Sequence, residues 1–367
     1  MELSSTKAIK VKPGEKGAAL ADIEKESLNG SGSVLVKTDY TGICGTDVGI
    51  VSGKLTFTYP PKGKSDLVLG HEALGTVEEV DSNVKGLEPG DYVIPMVRRP
   101  GGCLQCRTGR QDLCEDADFV EAGIRGKDGF MSEYFIDESR YLIKVPDKSL
   151  SRIAVLTEPL KNIVKVYRIY RHSNTGALEH CSDGSFECRN VLVTGFGPIG
   201  ILFAMIFRTH GFMVTATNGH TDPVRESIAK KTGIELLMDE KRDGSVFTGK
   251  KFNAIIDTTG VPSVVINGIK SLNHNGSMML FGTSSGTATA LDADIITMLV
   301  EKNCTVFGSV DGFKQDYIMA LRYISMWKEM YPGVLESMIT SETTPEHALN
   351  SLSSKQHGDI KHIINWK

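Results

Sequence analysis

The segment Gly195-Phe196-Gly197-Pro198-Ile199-Gly200 restricts what this chain can fold into more than any other. It follows the short apolar run Asn190-Val191-Leu192-Val193-Thr194 and opens an apolar stretch that continues to Arg208. A second strand-like run, Met213 to Thr217, comes next. A G-x-G-x-x-G pattern is weak alone, but a strand before it and a helix after it are the context that gives it meaning. Gly195 permits a tight turn, Gly197 lets the backbone approach a pyrophosphate, and Gly200 lets helix and strand pack closely. The helix N-terminus then faces the phosphates with its positive end. Strand-like runs recur at Phe252 to Asp257, Ser277 to Phe281 and Cys304 to Phe307, with helical segments between several of them. That alternation predicts an α/β unit with a doubly wound parallel sheet.

The end of the second strand selects the dinucleotide. An Asp or Glu there would bind the ribose 2′-hydroxyl and repel a 2′-phosphate. The chain instead reads Thr217-Asn218-Gly219-His220, with Arg225 just beyond. This favours NADP, with NAD as a second acceptor. His220 reads equally as a contact or a bystander, and Arg225 more simply as a solvated helix residue.

At about 100–200 residues per domain, 367 residues favour two domains. Residues 8 to 150 are rich in short strands and turns and predict an all-β domain of the small barrel type. Residues 151 to 171 carry helical spacing, 173 to 189 read as a polar surface loop, and 313 to 367 hold a helix near Tyr317–Trp327 and a strand at His362–Trp366. A net charge of −4 with no basic stripe argues against a nucleic-acid partner. The longest apolar run, Ile199 to Phe207, is far short of the roughly 20 residues that span a bilayer. No secretory pattern precedes Lys7, and seven cysteines without a disulfide framework read as metal binding in a cytoplasmic protein. Cys181 and Cys188 read as loop thiols.

Two groups of residues have metal-binding character. Cys44, His71 and Glu72 offer a thiol, an imidazole and a carboxylate, and three such ligands leave zinc an open fourth position. Cys103, Cys106 and Cys114 form C-x₂-C-x₇-C, one ligand short of a closed structural site, with Asp116 and Asp118 following. Asp118 is the preferred fourth ligand.

Over essentially its whole length the chain resembles the zinc-dependent medium-chain dehydrogenase/reductases, and within them the archaeal-type glucose (aldose) 1-dehydrogenases. The resemblance is carried by Gly42-Ile43-Cys44-Gly45-Thr46-Asp47, Gly70-His71-Glu72-Ala73-Leu74-Gly75, Val97-Arg98-Arg99-Pro100, the cysteine lobe, Glu121-Ala122-Gly123, Leu156-Thr157-Glu158-Pro159-Leu160-Lys161-Asn162 and the glycine fingerprint. It implies a GroES-like β-barrel catalytic domain formed by residues 1–189 and 313–367, and a Rossmann NADP-binding domain at 190–312. It implies a catalytic zinc at Cys44, His71, Glu72 and Glu158, with Thr46 beside the reacting oxygen. Sugar contacts are implied for Thr46, Glu121, Glu158, Asn162 and Asp311. Cofactor contacts are implied for Gly195, Gly197, Pro198, Ile199, Gly200, Asn218, Gly219, His220, Phe281, Gly282, Thr283, Ser309, Val310 and Asp311. Asp47 reads as structural.

The implied reaction is oxidation of an aldose, D-glucose and with it D-galactose, at C1 to the lactone, with hydride passing to NADP or NAD. A sorbitol- or threonine-type alcohol dehydrogenase is the alternative. The implied assembly is a homodimer or homotetramer. Three departures stand out. Pro100 replaces the first cysteine of a four-Cys lobe. Glu158 replaces a common Cys ligand. Gly49 replaces the histidine through which many alcohol dehydrogenases relay a proton, so the proton leaves through Glu72, Glu158 or water.

Overall fold

A computed structural model describes residues 5–28, 30, 32–173, 181, 182, 184–186, 188–284, 289–353 and 358–367. Backbone contacts divide the chain into two units, residues 1–161 with 312–367, and residues 162–311. The change in composition falls at 189/190, and the contact boundary at 161/162. The helix Thr157–Ser173 straddles it, and the rings of Tyr167 and Tyr170 pack edge-on against Phe207, inside the second unit. The expected helix from 151 begins only at Thr157. Residues 148–156 form a 3₁₀ stretch broken at Ser151, whose φ of 39° is left-handed.

The first unit is built on strands. Its main sheet runs in the order 142–144, 92–95, 72–80, 33–43, 361–365, 339–343 among the described residues, with 134–138 also paired to 33–43. The long strand Ser33–Ile43 is central and buried along most of its length, its polar residues Ser33, Thr38, Asp39 and Thr41 included. One core cluster gathers Val34, Val36, Ala73, Val77, Val93, Phe130 and Phe135. A second gathers Ile9, Ile50, Leu67, Met131, Leu352, Ile364 and Trp366, so residues from both ends of the sequence share a core. This is why the strand at Lys361–Asn365 lies against Ser33–Ile43, with Ile363 opposite Gly42.

The second unit is a parallel sheet in the order 235–238, 213–218, 190–194, 252–257, 272–280, 305–308. Numbered along the chain, that order is 3-2-1-4-5-6, the doubly wound arrangement that binds dinucleotides. The strand Glu235–Met238 was not foreseen. It is short and half-exposed at the sheet's edge, so it lacks a strong apolar pattern. The strand at Leu272–Leu280 begins earlier than expected, and helix Pro198–Thr209 is almost entirely buried. Cys181 and Cys188 form a disulfide, so they are not loop thiols. No helix among the described residues is long and apolar enough to cross a membrane.

Candidate functional site

Strand register assembles the first site. Gly42 pairs with Glu72 across one neighbour, and Ile43 pairs with His362 across the other. Cys44 follows directly and sits at the N-terminal boundary of helix Gly45–Val51. Gly42 has to be a glycine: a Cβ there would stand 2.1 Å from Glu72 Oε2 and 2.9 Å from Lys361 Cε. The donor atoms of Cys44, His71 and Glu72 lie within 4.8 Å of one another, all on buried or half-buried residues. Cys44 Sγ is 3.8 Å from the Thr46 hydroxyl. Glu158, 6% exposed at the start of its helix, is not within 4.8 Å of all three donors, and its Oε1 is 3.4 Å from Lys161 Nζ.

Asp47 does more than begin a helix. Its Oδ2 accepts the Cys44 amide at 2.8 Å, and its Oδ1 stands 3.3 Å from His71 Nδ1. That leaves Nε2 of His71 for a metal, with a carboxylate beside the ring's other nitrogen. Burial works against a charge on His71, but the Asp47 carboxylate and the Cys44 sulfur hold its pKa well above the usual 6.5. The donors therefore keep a proton at a place suited to a dication, which fits zinc.

Lys361 escaped sequence reasoning. It is 4% exposed, forms an ion pair with Glu72 and donates from Nζ to the Ile43 carbonyl at 3.3 Å. Burial opposes its charge, but Glu72 and Cys44 raise its pKa above 10.5. Lys161, 2% exposed, stands similarly beside Glu158. A lysine is ordinarily a surface residue, so neither had a recognisable signature. Gly49 packs against Leu55, whose Cδ1 would be 2.9 Å from a Cβ, so the space for a relay side chain is filled.

Glu121 is enclosed by cations. Arg98 donates to its Oε1 at 2.8 and 3.1 Å, and Arg125 to its Oε2 at 2.9 Å. Both guanidinium groups stack on Phe119. In the lobe, the sulfurs of Cys103, Cys106 and Cys114 lie within 4.8 Å of one another. Asp118 Oδ1 is 3.2 Å from Cys114 Sγ, while its Oδ2 accepts the Gly102 amide. Backbone amides of Cys106 and Glu115 lower the Cys103 thiol to about 7, while burial pushes the neighbouring Cys106 thiol up to about 12. Three sulfurs with an adjacent carboxylate fit a tetrahedral zinc site.

In the second unit the candidate cofactor residues all lie at or just after the carboxyl ends of parallel strands: 195–200, 218–220, 281–283 and 309–311. Ligands of open α/β sheets bind at that edge. Gly195 has φ 87°, and a Cβ on Gly200 would stand 1.9 Å from the Gly195 carbonyl. Gly197 differs: a Cβ there would meet no protein atom within 4 Å. Its missing side chain leaves room beside the helix N-terminus, the cradle a pyrophosphate requires. Arg225 is buried, not solvated. It ion-pairs with Asp222 and donates to the Phe196 carbonyl at 3.1 Å, so it fastens the loop from beneath. Asn162 and Asp311 are also in this unit, Asn162 with a buried Oδ1 lacking a described partner and Asp311 at φ 62°.

Residues 30–147 match the alcohol dehydrogenase GroES-like domain family, and residues 151–366 match the glucose dehydrogenase C-terminus family. The chain is 40% identical to a glucose 1-dehydrogenase of Metallosphaera sedula over 98% of both chains. It is 38% identical to a glucose 1-dehydrogenase of Thermoplasma acidophilum over 89% of this chain and 90% of that one. A Haloferax mediterranei glucose dehydrogenase, solved in complex with NADP, Zn and gluconolactone, superposes with a TM-score of 0.86 at 26% identity, covering 98% of this chain and 99% of the other. By these matches and by its own architecture, the chain belongs to the glucose dehydrogenase family of GroES-like, Rossmann-type dehydrogenases.

Proposed function

We propose that this protein is a glucose 1-dehydrogenase, oxidising D-glucose, and D-galactose with it, at C1 to the lactone with NADP as acceptor and NAD as a second choice. The cluster of Cys44, His71 and Glu72, backed by Asp47, is the observation that carries the reading. Full-length similarity to enzymes of that name supports the sugar. When bound, zinc at this cluster lowers the pKa of a neighbouring hydroxyl, and NADP provides the hydride acceptor. Cys44, His71 and Glu72 hold the metal, with Glu158 as an exchangeable further ligand. Oγ1 of Thr46 receives the proton of the C1 hydroxyl and passes it on. Lys361 keeps Glu72 charged and directed. Glu158, Asn162 and Asp311 orient sugar hydroxyls, and Glu121 does so while held rigid by Arg98 and Arg125. Residues Gly195–Gly200, Asn218–His220, Phe281–Thr283 and Ser309–Asp311 bind the dinucleotide. The lobe of Cys103, Cys106, Cys114 and Asp118 holds a structural zinc. A cytoplasmic homodimer or homotetramer completes the reading, on family resemblance.

Initial rates with glucose, galactose, xylose and simple alcohols, each with NAD and NADP, test it before and after chelation. Aldose turnover that chelation removes and zinc restores is the expected result. Turnover of alcohols alone, or full activity in Cys44→Ala, rejects it.

A further inference from the structure

The strand Met213–Asn218 ends without an acidic residue, and Asn218 Nδ2 donates to the His220 carbonyl at 2.5 Å. The next residue, Gly219, has a φ outside the left-handed region, so its backbone does not require glycine. The atoms that a side chain there would meet first are those of Arg242. A Cβ on Gly219 would stand 2.6 Å from Arg242 Nε, 3.1 Å from Cγ and 3.3 Å from Cδ. The arginine side chain lies across the space that a side chain at 219 would take.

The backbone turn that carries it is fixed, while the side chain itself is exposed. Arg242 has φ 54°, uncommon for a residue with a Cβ. Its amide donates to the Asp239 carbonyl at 2.9 Å, and the Asp239 amide donates to the Asn218 carbonyl at 2.7 Å. The Gly244 amide closes the turn on Asp239 Oδ2 at 3.0 Å. The turn is thus tied to the strand end where a dinucleotide's adenosine ribose is read. Asp243 on the same turn accepts from Ser245, and Arg242 has no carboxylate partner among the described residues. Arg225 is no rival, being engaged by Asp222 and the Phe196 carbonyl.

We infer that Arg242, laid across Gly219, receives the 2′-phosphate of a dinucleotide whose pyrophosphate lies on Gly195–Gly200. The two residues act as one device: the glycine makes the seat and the distant arginine fills it with a planar five-donor group suited to phosphate. The inference rests on the dinucleotide reading above and names the residue that sets its preference.

Calorimetric titration of the whole protein with NADP, NAD, adenosine 2′,5′-bisphosphate and 5′-AMP tests it. Arg242→Gln should weaken NADP and the bisphosphate by about tenfold or more, the least expected for losing a hydrogen bond to a charged group, while NAD and 5′-AMP change less than about twofold. Arg242→Lys should recover part of the loss. Gly219→Ala should resemble Arg242→Gln, although no charge is removed. An unchanged NADP-to-NAD ratio in Arg242→Gln, or equal loss of both, overturns the inference. A wild-type protein that binds NAD and does not favour NADP overturns it too, and leaves the dehydrogenase reading standing. A wild-type protein that binds neither dinucleotide overturns both.

Discussion

Replacing Lys361 with Met leaves Glu72 buried, 1% exposed, without its cation. Breaking a buried ion pair by removing one partner costs about 3–5 kcal/mol, because the surviving charge is desolvated and unpaired. With Glu72 1% exposed and Gly42 packed against its carboxylate, solvent cannot relieve it, so the zinc-free protein should lose about that much stability. The double variant Glu72→Gln with Lys361→Met removes both charges and should recover most of the loss. The assay is denaturant unfolding in chelator followed by tryptophan fluorescence. Both tryptophans, Trp327 and Trp366, are buried in the same unit as the pair, so the signal reports that unit by itself. The sign with pH is fixed as well. Lys361 has its pKa raised above 10.5, so the contribution is full below pH 10.5 and fades as pH rises through the folded-state value. If the single losses simply add in the double variant, the two residues are not coupled and the reasoning fails.

The glycines of the cofactor loop should separate by cause. Gly200→Ala, with a Cβ 1.9 Å from the Gly195 carbonyl, should destabilise the second unit, whereas Gly197→Ala should keep its melting temperature and lose dinucleotide affinity. Calorimetry beside thermal melting distinguishes them. Asp47→Asn should weaken zinc binding at this cluster by about 10–100-fold through its contacts with His71 and the Cys44 amide, readable by competition with a chelating dye. Thiol titration of denatured, metal-free protein should give five groups before reduction, Cys44, Cys103, Cys106, Cys114 and Cys304, and seven after it. Seven before reduction would contradict the Cys181–Cys188 bond.

The residues that could be read in the sequence are those whose chemistry is local. Gly195 and Gly200 answer to requirements set within six residues, a left-handed turn and a close helix contact. Cys44 and His71 could be paired across the sequence because thiol and imidazole are scarce and chemically distinctive. Lys361 and Lys161 are ordinary residues made special by burial, and burial depends on strands that meet only in the folded chain. Arg242 is a further case, since its meaning comes from a glycine on another element. Composition changes at 190, while backbone contacts divide the chain inside a helix that begins at 157.

The order in which the chain is made gives the lysine at 361 a further significance. It reaches the Ile43 carbonyl across 318 residues, with the whole of the second unit in between. Closing so long a loop carries an entropic cost that a structured insert reduces, since folding the insert first shortens the effective tether. The continuous unit is free to fold as soon as it emerges, while the Glu72–Lys361 pair waits for a strand synthesised after it. Cys44, His71 and Glu72 can gather early, but the cation that balances Glu72 arrives last.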